Sequence, residues 1–183
     1  IFISNFSKAF ISKNFFSVEK KCAVIPHGVD KKFFKDSQHV DFNLIPKGKY
    51  FLYVSRIEYY KRQKEVLEAF IFLKEKLKNY KLYFVGPSNN EYSKILIEKI
   101  KLENLQKKVF ILGDVKQERL PQLYQNAEIN IFCSETENCP NILLEAMSAG
   151  KPVVCSDLEP MVEFGKNAPL YCVSKDPHDI AKK

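Results

Sequence analysis

INIFCSETENCPNILLEAMSAGKPVV, residues 129–154, contains the clearest structural pattern of the sequence. Its first four residues predict a strand, because a short apolar run bounded by polar residues suits one. Residues 143–149 predict a helix that ends at Gly150, since glycine is common just past a helix terminus. A second apolar run follows at residues 153–155. The stretch therefore predicts strand, loop, helix and strand, the repeating unit of a parallel sheet.

The same alternation continues on both sides of this stretch. Val66, Leu67, Phe70, Leu73 and Leu77, for example, lie at helical spacings. The chain is therefore expected to be an α/β protein with a Rossmann-like parallel sheet flanked by helices. The predicted strands are residues 50–55, 81–85, 109–112, 129–132, 153–155 and 170–173, and the predicted helices are residues 63–78, 91–102, 118–125, 143–149, 161–164 and a last one from residue 177.

Residues 1–49 follow a different pattern. They predict a helix over residues 5–16, a strand over residues 23–25 and then a polar stretch up to Lys49. We interpret them as an interdomain segment that precedes a sheet domain, residues 50–183. Because the chain starts at Ile1 rather than Met and stops inside a predicted helix, we expect it to be a piece of a longer protein, truncated at that helix.

Composition bounds the class of protein. The chain has 183 residues, 45% hydrophobic and 28% charged, which suits one compact domain and excludes a disordered chain. The formal net charge is +7, from 29 basic and 22 acidic residues. Residues 1–100 hold 19 of the basic and 10 of the acidic side chains, so this half should favour anions.

Cysteine usage and hydropathy indicate the compartment. The five cysteines form an odd set without a Cys-x-x-Cys pair, and the three histidines are dispersed, which argues against a disulfide framework or a structural zinc site. The longest apolar runs are about five residues, whereas a membrane span needs about 20. We expect a cytoplasmic protein, with peripheral contact at the inner face of a membrane as an open alternative.

Polar residues follow the first and fourth predicted strands. Arg56 and Lys61 come after the first strand, Glu137 follows the fourth, and Glu145 lies on the next helix. In an open α/β sheet, ligands bind beyond the carboxyl ends of the strands. The two cations suit a diphosphate, because guanidinium offers a planar fork and ammonium a mobile point charge. The two carboxylates could hold two hydroxyl-rich groups of one ligand.

The helix that carries Glu145 should also present free backbone N–H groups at its start, near Asn141 and Ile142, which favour negative charge. Simpler interpretations exist for each of these features. Arg56 and Lys61 could be a solvated surface pair, since such residues are mostly exposed. The two acids could merely complement the helix dipole.

Three segments, in this order, resemble the C-terminal, donor-binding half of a GT-B type glycosyltransferase of family 4, also called group 1. IPHGVD, residues 25–30, resembles its interdomain strand and loop, and VSRIEYYK, residues 54–61, resembles its phosphate-binding Gly-Arg-Leu-x3-Lys element. ENCPNILLEAMSAGKPVV, residues 137–154, is similar to its Glu-x7-Glu motif and the helix that follows. The resemblance implies that residues 50–183 form a nucleotide-sugar-binding domain and that an N-terminal acceptor domain is absent.

The resemblance also implies a role for each matched residue. Arg56 and Lys61 would bind the diphosphate and stabilise its charge as it leaves. Glu137 would contact hydroxyls of the transferred sugar, and these three residues would be the catalytic ones. Glu145 would hold the ribose hydroxyls. The other residues expected to contact the sugar donor are Gly86, Gly113, Val115, Asn138, Asn141 and Ile142.

The activity that the resemblance implies is hexosyl transfer in glycan biosynthesis. A retaining glycosyltransferase would move a hexose-type sugar from a nucleotide-diphosphate sugar to an acceptor hydroxyl. A glycan or lipid-linked acceptor would bind mainly to the missing domain, so we expect this piece alone to be inactive. No Asp-x-Asp occurs, so no metal or other cofactor is expected.

The chain also departs from the family pattern, and other functions stay open. Ser55 and Arg62 stand where glycines are usual, as does the segment Leu158-Glu159-Pro160. A sugar-nucleotide epimerase, a phosphorylase and an inactive glycosyltransferase-like scaffold remain alternatives, since a fold does not fix a function. A sequence pI near 9.0 suggests a nucleic-acid-binding module as a distant alternative. The 15 Phe and 9 Tyr mostly occupy predicted core positions, so we expect no nucleic-acid partner.

Overall fold

The computed structural model describes residues 1–15, 22–34 and 46–183. Within these ranges, six strands form one sheet in the order β3-β2-β1-β4-β5-β6, and every neighbouring pair is parallel. The predicted α/β, Rossmann-like fold class is confirmed. The strands are Lys49–Val54 (β1), Tyr80–Val85 (β2), Val109–Ile111 (β3), Ile129–Phe132 (β4), Val153–Ser156 (β5) and Leu170–Cys172 (β6).

Helices cover both faces of this sheet, so strand residues on either side are buried. Leu52, Leu82 and Phe132, from three adjacent strands, are each at most 1% exposed. Burial on both faces explains why the strands are continuous apolar runs rather than alternating ones. The α-helices in the described ranges are Asn5–Asn14 (α1), Gln63–Phe72 (α2), Glu91–Leu102 (α3), Leu120–Asn126 (α4), Asn141–Ser148 (α5), Met161–Gly165 (α6) and Pro177–Lys182 (α7).

The predicted helix over residues 63–78 is wrong at its end, because α2 stops at Phe72. The chain then continues in turns, in which the Lys74 N–H donates to Ile71 O at 3.2 Å. The apolar spacing that suggested a longer helix is real, since Leu77 still packs against the core. It reaches the core from a turn, and helical spacing cannot distinguish the two.

The amino-terminal segment is partly as predicted. α1 begins after Ser4, whose side chain accepts a hydrogen bond from the Ser7 N–H and so caps the helix. It ends at Asn14, whereas the prediction extended to residue 16, which lies outside the described residues. The strand expected over residues 23–25 is only a single bridge between Phe2 and Val24. Most of the predicted polar stretch, residues 35–45, also lies outside the described ranges.

One side chain attaches α1 to the sheet domain. Glu163, on α6, accepts hydrogen bonds from the backbone N–H groups of Asn5 at 2.7 Å and Phe6 at 2.8 Å. These are N–H groups of the first turn, which have no partner within the helix. In the described part of the chain, none of the helices is both long and apolar enough to cross a lipid bilayer.

The sheet has its topological switch point between β1 and β4. The chain runs outward from β1 through β2 to β3, then returns to the other side of β1 with β4 and continues through β5 to β6. The loops after β1 and β4 therefore leave in opposite directions and open a crevice at the carboxyl ends of the strands. Such crevices are where ligands bind in open α/β sheets.

Candidate functional site

The loop after β1 starts from a rigid base. The Gln63 side chain, 1% exposed, donates through Nε2 to Ser55 Oγ at 2.8 Å and to Arg56 O at 2.9 Å. The Ile57 N–H donates to Pro87 O in the loop after β2, at 2.9 Å. Ser55 itself is buried. These bonds fix the backbone from which the Arg56 side chain projects.

Arg56 is exposed, and its guanidinium makes no hydrogen bond or ion pair with any residue in the described part of the chain. It lines an open cleft of about 250 Å³ that lies between the ends of β1 and β2 and the helix α5. We call this the β1–α5 cleft. The predicted site residues that line it are Arg56, Gly86, Val115, Ile142 and Glu145, joined by Asp114, Gln117 and Leu120 among others.

Gly86 forms a wall of this cleft, and a side chain there would not fit. Its φ is +138°, a conformation that favours glycine. A Cβ atom at this position would lie 2.2 Å from Ser55 O. The Gly86 N–H donates to Gly113 O at 2.8 Å, which places Gly113 just behind the cleft lining. A glycine is therefore needed at this position because the backbone at Ser55 lies close to it.

Glu145 reaches the β1–α5 cleft from the middle of α5. Tyr124, from α4, donates its hydroxyl to Glu145 Oε2 at 3.3 Å. Burial raises the pKa of Glu145 above its ordinary value, although the hydrogen bond from Tyr124 opposes this. Burial, with the neighbouring Glu145, also raises the pKa of Tyr124, so its hydroxyl stays a hydrogen-bond donor. Tyr124 was missed by the sequence analysis, because its contact crosses 21 residues.

Lys61, unlike the exposed Arg56, is buried and paired with a carboxylate. It lies in a short 3-10 turn, Tyr59–Lys61, and is only 5% exposed. Its ammonium lies 5.0 Å from the ring centre of Tyr60 and 5.2 Å from that of Phe132. Its charge is paired with the carboxylate of Glu137. The turn and the residue that follows it, residues 59–62, are called the lysine loop below.

Glu137 belongs to the loop after β4, residues 133–140, called the glutamate loop below. Ser156 of β5 anchors this loop by donating its hydroxyl to Ser134 O at 2.6 Å. The Glu137 side chain is 18% exposed and faces Lys61 on one side. On the other it lines a second cleft of about 280 Å³, together with Thr136 and Asn138.

Helix α1 supplies the opposite wall of this second cleft, which we call the α1 cleft. Phe6, Ser7, Phe10 and Ile11 line it from the helix. The sequence pattern did not indicate that α1 belongs to the site, because the apolar side chains of a short helix give no local signal for it. The α1 cleft is therefore part apolar, from α1, and part polar, from the glutamate loop.

The start of α5 differs from the expectation of free backbone N–H groups. The Asn141 N–H donates to Cys139 O at 2.9 Å, so it is not available to an anion. The Asn141 side chain points toward the amino-terminal segment, where its Oδ1 lies 3.0 Å from Nδ1 of the exposed His27. Ile142, by contrast, lines the β1–α5 cleft. Asn141, Gly113 and Lys61 are thus the predicted residues that line neither cleft.

The structure thus places most of the predicted residues in two clefts, with Lys61 paired to Glu137 of the second. One is lined by Arg56, which is unpaired within the described ranges, and by a half-buried carboxylate; the other is lined by a carboxylate already paired with a cation. In the described residues there is no group of three or more His, Cys, Asp and Glu side chains that could hold a metal ion. An edge of this kind suits an elongated ligand with anionic and hydroxyl groups.

A doubly wound sheet with such an edge is typical of GT-B glycosyltransferases, and the comparisons agree. Residues 34–183 match the family described as glycosyl transferases group 1. The chain therefore belongs to the group 1 glycosyl transferases. It is 32% identical over 133 residues to the serotype-specific mannosyltransferase WbdA of Escherichia coli, an alignment that covers 72% of this chain and 16% of that protein.

Solved structures share the fold. A glycosyltransferase from Rickettsia africae superposes with a TM-score of 0.87 at 23% identity, over 98% of this chain and 50% of that one. Anabaena Alr3699/HepE, solved in complex with UDP-glucose, gives a TM-score of 0.81 at 21% identity, over 99% of this chain and 51% of that one. The chain thus spans about half the length of each of these two proteins.

Proposed function

We propose that this chain binds the nucleotide-diphosphate sugar of a retaining hexosyltransferase. The observation that carries the proposal is one cleft at the switch point that is lined both by Arg56, which has no partner among the described residues, and by a half-buried Glu145. The family assignment supports a glycosyltransferase, and Anabaena Alr3699/HepE has been solved in complexes with UDP and with UDP-glucose. The proposal extends that chemistry to the β1–α5 cleft.

The nucleoside half of the sugar donor would occupy the β1–α5 cleft. Glu145 would accept hydrogen bonds from the ribose hydroxyls, an interaction that favours its ionised form. The base would lie toward Val115 and the turn at Gly113. Gly86, with no side chain, leaves the cleft open along the ends of β1 and β2.

The diphosphate would lie between Arg56 and Lys61. Arg56 has no partner in the part of the chain that the structure describes and could bind a phosphate as it stands, whereas Lys61 is held by Glu137. Binding would therefore exchange the Glu137 carboxylate for a phosphate oxygen on the Lys61 ammonium. Glu137, once released, would turn to hydroxyls of the sugar in the α1 cleft, with Asn138 beside it.

Catalysis in this proposal is mainly electrostatic. Negative charge develops on the departing diphosphate, and preorganised cations near it lower the barrier. We assign that role to Arg56 and Lys61. The chain has no Asp-x-Asp sequence, so we assign no step to a divalent metal. Retention of configuration and the hexosyl class rest on the family resemblance.

The remaining parts of the proposal concern the whole protein. An acceptor hydroxyl on a glycan or lipid-linked chain would approach from the side of the α1 cleft, which is open next to Glu137. All five cysteines are free, which supports a reducing compartment such as the cytoplasm. Proton NMR of the product's anomeric signal, made with the donor that binds, would test retention directly.

Calorimetric titration with UDP, GDP and ADP, and then with their common sugars, tests the donor-site assignment. We expect one nucleotide to bind, and Arg56→Ala and Glu145→Ala each to weaken it at least tenfold. Lys94→Ala is the matched control, because Lys94 is an exposed cation paired with Glu91 on α3, away from both clefts. If no nucleotide binds, or if the control weakens binding as much, the assignment is wrong.

A further inference from the structure

Arg62 occupies a backbone position that ordinarily favours glycine. It lies between the 3-10 turn and α2 with φ +58° and ψ 31°, the left-handed conformation, which costs a side-chain-bearing residue about 1 kcal/mol. It is also one of the positions where the chain departs from the family pattern. A residue that accepts this cost next to Lys61 needs an explanation in its side chain.

The Arg62 guanidinium holds two carboxylates and faces neither cleft. Nη1 lies 2.9 Å from Glu65 Oε1 on the first turn of α2, and Nη2 pairs with Glu135 of the glutamate loop. Arg62 is not among the residues that line the β1–α5 cleft or the α1 cleft. Its charge is therefore paired with carboxylates of the protein itself.

Glu135 is the centre of this contact. Its carboxylate also binds Lys175, with Oε1 2.6 Å from Nζ, and its own N–H donates to Tyr60 O at 2.8 Å. Partial burial raises the pKa of Glu135, but hydrogen bonds from Lys175 and Arg62 outweigh this and leave it below the ordinary value. Glu135 therefore stays ionised at neutral pH and binds cations from two loops.

The lysine loop and the glutamate loop are thus joined at three consecutive residues. Tyr60 accepts from the Glu135 N–H, Lys61 pairs with Glu137, and Arg62 pairs with Glu135. Binding of a diphosphate would break only the middle contact. The two outer contacts would keep the loops at the same separation while Lys61 changes partner.

We propose that Arg62 is a positioning residue, which with Glu135 holds the lysine loop so that Lys61 can pass from Glu137 to a bound diphosphate. This inference rests on the proposed function, since it assumes a phosphate at Lys61. It predicts that loss of the Arg62 guanidinium weakens binding of the phosphates but not of the nucleoside, because the nucleoside would be held in the β1–α5 cleft.

The test compares two ligands across a short series of variants. Whichever of UDP, GDP or ADP binds the unaltered chain is titrated by calorimetry, and the matching nucleoside is titrated by NMR. Arg62→Gly removes the guanidinium and suits the left-handed backbone, Arg62→Ala removes it and strains the backbone, and Glu135→Gln removes the charge at the other end. Lys94→Ala is again the control.

We expect Arg62→Gly and Glu135→Gln each to weaken diphosphate binding about fivefold and to leave nucleoside binding within twofold. Arg62→Gly combined with Glu135→Gln should weaken diphosphate binding by less than the sum of the two single effects, because both changes remove the Arg62–Glu135 pair. Arg62→Lys should retain part of the affinity, since a lysine cannot hold both carboxylates as a planar fork does.

Three outcomes would overturn the inference while leaving the donor site intact. Arg62→Gly could bind the diphosphate as tightly as the unaltered chain, which would show that only the backbone conformation matters. It could weaken nucleoside and diphosphate equally, which would show general damage. The effects of Arg62→Gly and Glu135→Gln on diphosphate affinity could also be fully additive, which would show that the two residues act independently. If the unaltered chain binds none of the three nucleotides, the proposed function fails first and the inference falls with it.

Discussion

The β1–α5 cleft and the lysine loop border the same end of the sheet, yet their charged groups are in opposite states. In the cleft, Arg56 has no partner in the described residues, and Glu145 has one hydrogen bond of 3.3 Å. In the lysine loop, Lys61 and Arg62 are both paired with carboxylates. The cleft can therefore receive a ligand as it stands, whereas the loop must first exchange a partner.

This difference separates two contributions to binding. A preformed surface adds affinity without rearrangement, so its residues should act as simple contacts. A buried ion pair must be broken, and its acidic member competes with the incoming anion. The same edge should thus contain residues whose removal weakens nucleotide binding and one whose removal strengthens it.

The largest expected effect concerns the preformed cleft itself. Gly86→Ala should lower the free energy of unfolding by about 3 kcal/mol, because the new Cβ would lie 2.2 Å from Ser55 O and the φ of +138° disfavours a side chain. Chemical denaturation measures this. Gly113→Ala is the control, since it has a positive φ of +68° but open space around the Cβ, and it should cost only about 1 kcal/mol. Equal losses of unfolding free energy in the two variants would show that a Cβ atom at Gly86 is not crowded by Ser55.

Arg56→Ala comes next. The variant removes an exposed cation that lines the β1–α5 cleft, so we expect nucleotide affinity to fall about thirtyfold, as for loss of a charged hydrogen bond. The melting temperature should change by less than about 2 °C, because the exposed guanidinium makes no hydrogen bond or ion pair with the described residues. A large drop in melting temperature with unchanged affinity would mean that Arg56 has a structural role.

Glu137→Gln should act in the opposite direction on a ligand without sugar. Removing the competing carboxylate frees Lys61, so we expect the nucleoside diphosphate to bind about fivefold more tightly. The complete nucleotide sugar should not gain in the same way, because Glu137 would also bind its hydroxyls. Titration of one variant with both ligands measures this, and weaker binding of the diphosphate would refute the exchange.

The smallest effect is a pH dependence from Glu145. Burial raises the pKa of Glu145 in the folded chain above the ordinary value of 4.5. The folded state therefore binds a proton more tightly than the unfolded state in the pH interval between 4.5 and the raised pKa. This contribution to stability is present below pH 4.5 and is lost as the pH rises through the raised pKa. Nucleoside affinity should rise over the same interval, because the ionised carboxylate accepts the ribose hydroxyls. In Glu145→Gln, NMR titration of the nucleoside at several pH values should show no such rise.

The sequence predicts the sheet well because its signals are local. The bounds of α3 and β4 are as predicted, since each has its own apolar pattern and clear ends. The predicted end of α2 was wrong because Leu77 lies in a turn and still continues the helical spacing of apolar residues. The convergence of Arg56 and Glu145 also follows from sequence, because parallel strands end at one edge.

The pairing of the charges could not be predicted in this way. Lys61 and Glu137 are 76 residues apart, and Tyr124 and Glu145 are 21 apart, so each contact is set by how neighbouring segments pack. The sequence identifies which residue types are present near the edge. Only the three-dimensional arrangement shows that Lys61 is paired with Glu137 while Arg56 has no partner among the residues that the structure describes.

The most direct test of this account is a crystal structure of the chain with the nucleoside diphosphate that binds in calorimetry. We predict the diphosphate between Arg56 and Lys61, the ribose at Glu145, and the Lys61 ammonium on a phosphate oxygen and no longer on Glu137. A nucleotide bound elsewhere, or one bound at this edge with the Lys61–Glu137 pair intact, would contradict it.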